Sequence, residues 1–189
     1  MNTPSHLIIN AALRRVSQEQ VAIPATPFLL GAVVPDLALL LLSVGTLLHA
    51  RLVAQDADIR KIMNEAFSEN YFHDPIWIAS TQLLHSPTLL SITLVLLWRF
   101  RQRPGNWRRG AFWFAVGCLS HSIIDILTHY DDGPVVFWPF EWSYRFHSPV
   151  SYWDSRHFGN EFAIFELALD VVLLVYLLLP VMRRRLAQR

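Results

Sequence analysis

Apolar positions along the 189 residues collect into four long runs, at 28–48, 83–98, 111–127 and 162–182, separated by polar stretches. The last run is long enough to cross a hydrocarbon core about 30 Å thick. The runs at 83–98 and 111–127 lie nearer the lower limit, so tilted or partly protein-covered helices are expected there. A modestly amphipathic helix is expected ahead of the first run, from near His6 to Arg15. Pro24, Pro27 and Pro35 punctuate this region, which predicts a helix broken near Pro35 rather than one straight rod. The pattern predicts an all-α fold, a multi-pass membrane helical bundle of about four apolar spans, with residues 1–189 as a single membrane-embedded domain. A soluble bundle with unusually apolar core helices is the alternative. No internal repeat or low-complexity segment is visible.

Composition agrees with a membrane protein: 53% of residues are hydrophobic, 16% are charged, and the mean hydropathy is +0.31. The net charge of +1 conceals a strong segregation. Arg99, Arg101, Arg103, Arg108 and Arg109 crowd the short link between the second and third runs, and Arg183, Arg184, Arg185 and Arg189 follow the fourth. Most acids fall in the two longer connections, at about 49–82 and 128–161. With the arginine clusters in the cytoplasm the four spans alternate, and both termini are expected on the cytoplasmic side of a bacterial inner membrane. Trp77, Trp138, Trp142 and Trp153 then fall in the outer connections, where amphipathic rings suit the interface. The basic residues form short clusters beside apolar runs, so a nucleic-acid partner gains no support. The single cysteine, Cys118, allows no intrachain disulfide. The N-terminus lacks the order of a cleaved signal and reads as part of the mature protein.

Against this apolar background the ionisable residues stand out. His121 and Asp125 are four apart in SHSIIDILTH, which places them one turn apart on one helix face. Such a pair inside an apolar helix is costly unless compensated, by a hydrogen-bonded partner or by a metal ion that takes imidazole and carboxylate as ligands. Asp36 follows Pro35, where it is either a cap at a helix break or a ligand facing a polar interior. His85 opens the second run, and His6 lies near the start of the N-terminal helix. His157 and Glu161 repeat the four-residue spacing at the start of the fourth run, and His129 lies one turn past Asp125. His49, His73 and His147 read as loop residues. Asp170, with Glu166 one turn earlier, is an intramembrane carboxylate without an evident partner.

Read in order, His6, Pro35-Asp36, His85-Ser86, LSHSIIDILTHYDDGPVVFWPFEW and GNEFAIFE resemble a bacterial family of membrane-bound metal-dependent hydrolases. The run from Leu119 to Trp142 is its most specific part. One stretch departs from that pattern: where a His-Arg-Gly usually precedes the His-Ser pair, this chain reads WIASTQLLHS. More distantly the order of ligand types is similar to zinc-dependent phospholipase C. That similarity implies one zinc on Asp36, His85, His121 and Asp125, and a second on His129, His157 and Glu161. His6 would share Asp125 with a third, and the free N-terminal amine that completes the enzyme's site is not carried over to this chain.

The resemblance implies hydrolysis of an ester, first a phosphoester, of a lipid or lipid-linked substrate, with membrane lipids as partners. Zinc suits such ligands best, with manganese or iron as alternatives. Asp36 or Asp125 would act as general base, and Thr128 or Ser86 would orient a ligand. Three rival functions stay open. They are an ion or proton transporter using the buried acids, a haem protein with His85 and His121 as axial ligands, and a scaffold that keeps its metal for stability.

Overall fold

The computed structural model describes residues 1–53 and 58–187. Among these residues the chain is all-helical apart from one isolated bridge between Val135 and Arg145. Helices α1 (Thr3–Ser17), α2 (Ala25–Leu30) and α3 (Val34–Leu52) form the first third. Helix α4 (Ile59–Glu65) leads through a π-helical turn, Ala66–Asn70, into the short α5 (Tyr71–His73). Helices α6 (Pro75–Gln82), α7 (Pro87–Leu97), α8 (Trp107–Thr128) and α9 (Gly159–Ala187) complete the bundle. Helices α3, α8 and α9 are each long and apolar enough to cross a membrane. The stretch formed by α6 and Pro87–Phe100, bent by 44°, makes a fourth if the pair is one broken span.

The expected break in the first run is present. Helix α2 ends before Gly31, and Pro35 sits in the first turn of α3, where its missing N–H costs nothing. The second run differs from expectation. It supplies only the 11 residues of α7, and the rest of that span comes from α6, in what the sequence shows as a connection. Pro87 cannot continue a helix from Gln82, and Ser86 caps the new one by accepting from Leu89 N. His49 and His73 lie on α3 and α5 rather than in loops. Trp77 and Trp138 are not interface residues but core: Trp138 packs with Ile78 and Val135, and Trp77 meets Phe67 edge-on. Trp142 and Trp153 are exposed, as an interfacial position requires.

Helix α8 is the axis on which the others are placed. Helix α7 packs along it in the opposite direction, with Leu90 beside Ala115 and Cys118. Trp98, just past α7, lies against Phe112. On another side α2 crosses so closely that a Cβ on Gly31 would collide with the Phe114 carbonyl, and one on Gly117 with that of Phe28. Only two glycines permit this approach, as small residues do between membrane helices generally.

Helix α1 also runs antiparallel to α8. Arg14 donates to the Ile23 carbonyl near the α8 start, where Ile23 packs with Phe112 and Trp113. At the other end the Met1 nitrogen donates to Thr128. Fifteen residues of α1 thus traverse about 22 Å of the bundle's depth. Met1 therefore lies at the opposite end of α8 from the arginine-rich link, whereas the charge pattern places both termini on the same side as that link. Charge alone could not reveal this, because α1 is too polar to read as a span and is admitted only by polar partners inside the bundle.

Candidate metal centre

Four residues from separate parts of the chain meet where α2 gives way to α3, where α7 begins, and on the last two turns of α8. They are Asp36, His85, His121 and Asp125, whose ligand atoms all lie within 4.8 Å of one another. His121 Nε2 lies 2.9 Å from Asp125 Oδ2 and 3.3 Å from Asp36 Oδ1. His85 Nε2 lies 3.2 Å from His121 Nε2, 3.5 Å from Asp36 Oδ1 and 3.8 Å from Asp125 Oδ2. Four donors set about 2.05 Å from a tetrahedral ion stand about 3.3 Å apart, so these separations suit zinc.

The protonation pattern argues in the same direction. His121 Nδ1 is 2.9 Å from the Ala32 carbonyl, and His85 Nδ1 is 2.8 Å from that of Thr81. A carbonyl only accepts, so both Nδ1 atoms carry hydrogen and both Nε2 atoms face the centre. Two imidazolium protons do not fit in the 3.2 Å between the rings, so at least one Nε2 presents a lone pair to its neighbours. Carboxylates and lone pairs converging on one point are satisfied together by a cation. The backbone carbonyls then act as the outer partners that orient metal-bound imidazoles in general.

The Gly31–Gly117 crossing is what brings the Ala32 carbonyl to His121, one turn beyond Gly117 on α8. Ser122 steadies the opposite side by donating to the His85 carbonyl. Ser86, an expected orienting residue, is instead used by the Trp138 carbonyl. Thr128 accepts from the Met1 nitrogen at 3.0 Å and donates to Ile124 O.

Asp125 is shared. Its Oδ2 faces His121, while its Oδ1 lies 3.0 Å from His6 Nε2, 3.0 Å from the Met1 nitrogen and 3.6 Å from His129 Nδ1. The His6 ring stacks on His121 with centroids 3.8 Å apart, and its Nδ1 is buried without a partner. His129 Nδ1 bonds to the Asp125 carbonyl, and burial pushes its imidazole pKa down. His157 and Glu161 stand apart from this group. His157 Nδ1 is 3.1 Å from Asp154 and its ring stacks on Tyr130, while Glu161 is exposed in the first turn of α9. Among the described residues, the group that could hold an ion is Asp36, His85, His121 and Asp125.

Several residues that hold this centre escape sequence reading. Asn10 is fully buried and donates to the Gly117 and Phe28 carbonyls while accepting from Ser120, which stitches α1 to the crossing. The Asn2 backbone and side chain both donate to Glu166, and Ser5 donates to Asp170, so the two intramembrane acids serve α1. The spacing of Asn2, Ser5, His6 and Asn10 was the available signal, a stripe of uncharged polar residues at helical period.

Above the centre lies a cavity of about 540 Å³ reached by Asp36, His85, Asp125 and His129. Asp36, with 32% of its side chain exposed, is the most open of the four clustered residues, and Thr3 donates to its second oxygen. Asp132 also lines the cavity, its Oδ2 taken by the Trp153 indole and its Oδ1 unpartnered. Tyr152 stays a phenol there because burial pushes its pKa up to about 12.

Neither the curated proteins nor the solved structures contain a match to this chain. Residues 1–186 match the family model described as YdjM inner membrane protein. An apolar helical bundle of three to four candidate spans fits that description, and the chain belongs to the YdjM inner membrane protein family.

Proposed function

We propose that this inner membrane protein is a metal-dependent hydrolase acting on an ester, a phosphoester foremost, of a lipid or lipid-linked substrate. One observation carries the reading: two imidazoles with their Nδ1 protons committed to carbonyls turn their Nε2 atoms onto two carboxylates at metal-ligand spacing, on the floor of a cavity. A divalent ion in that position, zinc before manganese or iron, would supply Lewis acidity and bring water to a reactive pKa near neutrality.

The residues of the chain then divide the work. Asp36, open to the cavity with one oxygen tied to Thr3, is placed to take a proton from attacking water. Asp125, engaged by the Met1 nitrogen, His6 and His121, is held as a charged anchor. With the arginine link in the cytoplasm, the centre faces the outer half of the bilayer. The resemblance to membrane-bound metal-dependent hydrolases and to zinc-dependent phospholipase C supports the reaction class.

Elemental analysis of detergent-purified protein tests the reading. Wild type is expected to hold about one zinc, manganese or iron per chain, lost in His121→Ala and Asp125→Ala, since each removes a ligand. Hydrolysis of phosphoester or acyl-ester lipids should disappear with the metal. A folded wild type without metal overturns the proposal.

A further inference from the structure

We infer that the cavity above the centre seats an acyl chain of a membrane lipid, laid along α3 from Asp36 toward Ser43 with Phe67 as its opposite wall. This deepens the hydrolase reading and rests on it for the reaction alone, since the seat exists whether or not an ester is cut.

The cavity has two chemically different ends. At one end stand Asp36, His85 and Asp125; along α3 the lining becomes Leu37, Leu40 and Ser43, facing Phe67. The Ser43 hydroxyl donates to the Leu39 carbonyl at 2.7 Å, so it brings no unmet hydrogen to that wall. From Asp36 to Ser43 the helix rises about 10 Å, enough to carry a chain well clear of the polar end. A slot of this size lies within the range of small-molecule sites, which pair apolar walls with a small number of placed polar groups.

The apolar wall does not stop at the cavity mouth. Leu37 and Leu40 are 41% and 55% exposed, and with Leu41, Val44 and Leu48 they form the outward stripe of a helix apolar enough to span the membrane. The same leucines thus face the slot and the surrounding lipid. A chain in the bilayer meets no polar barrier on entering sideways, whereas a water-soluble substrate would have to cross this apolar rim. The occupant that matches a polar metal end, an apolar wall and an opening onto hydrocarbon is a lipid whose ester lies at Asp36.

The probe is phosphatidylethanolamine carrying a diazirine midway along one acyl chain, mixed into vesicles that contain the protein. After illumination, mass spectrometry should place label on Phe67 and Tyr71 as well as on the outer faces of α3 and α9. Ser43→Trp fills the slot without touching the centre and is expected to cut the Phe67 and Tyr71 label about tenfold. Its α9 label and its metal content should match wild type, and Ser43→Met should give an intermediate loss. Persistence of the label in His121→Ala would establish the seat independently of metal and hydrolysis. Absence of label from Phe67 and Tyr71, or equal labelling in wild type and Ser43→Trp, overturns the inference.

Discussion

Helices α8 and α9 are both long and apolar enough to cross a bilayer, yet 44% of the most apolar stretch of α8 is buried in the protein against 6% for α9. The two pass the same hydropathy test and do opposite work. Helix α8 is wrapped by α1, α2 and α7, so the packing can neutralise His121 and Asp125 with carbonyls, a neighbouring helix and the Met1 nitrogen. Helix α9 gives its surface to lipid and turns one polar patch inward, Glu166 and Asp170, where α1 docks. Apolar length identifies a span, and only burial tells whether it carries chemistry or faces solvent hydrocarbon.

The contrast is most sharply tested by a paired substitution. Gly117→Leu drives a branched side chain into the Phe28 backbone, and overpacking of this kind costs about 1–3 kcal/mol. It should also push the Ala32 carbonyl from His121, lowering metal content. Leu167→Ala on α9 removes most of a large side chain, but one that is 67% exposed, so it should shift the thermal midpoint far less and leave the metal in place. Equal damage from both would show that α9 is covered in the membrane. Glu166→Leu comes next: it strips two acceptors from Asn2, a loss of about 1–3 kcal/mol, with weaker metal retention through α1. Glu166→Gln should restore part of both, since its single amide oxygen replaces one of the two acceptors; ion flux that fails in both variants while metal stays would favour a transport path instead.

The smallest effect concerns acid. The Arg156 guanidinium, with the Arg156 backbone N–H and His157, holds the Asp154 carboxyl well below the usual carboxylate range. The unfolded chain therefore binds more protons at low pH. The stability from this group is complete above about pH 4 and fades as pH falls through the lowered folded value. Asp154→Asn should flatten that acid limb slightly in a pH series of unfolding midpoints. The pair is too exposed for a larger change, with 80% of the Arg156 side chain in solvent.

Much of the centre was legible because its chemistry contradicts its surroundings. His121 and Asp125 are conspicuous in an apolar run, and Pro35 announces the break that turns Asp36 inward. His85 was legible only through its company. The role of α1 was legible only in part: the resemblance joined His6 to Asp125 across 119 positions, whereas nothing joined Asn2 to Glu166 across 164. The Gly31–Gly117 contact was equally silent, because two isolated glycines carry no sign that they touch. The repeated spacing of His157 and Glu161 resembled that of His121 and Asp125, but α9 begins only at Gly159 and the two never share a helix face.

The seating of α1 has a consequence for the order of assembly. Its polar stripe has no partner until α8 supplies Asp125 and Gly117 and α9 supplies Glu166 and Asp170, so a segment synthesised before α8 and α9 is secured only after them. The centre is then a lock closed at the end of folding, and metal capture there would report completion of the whole bundle. Chains halted before Glu166 should leave α1 open to protease, and full-length chains should protect it.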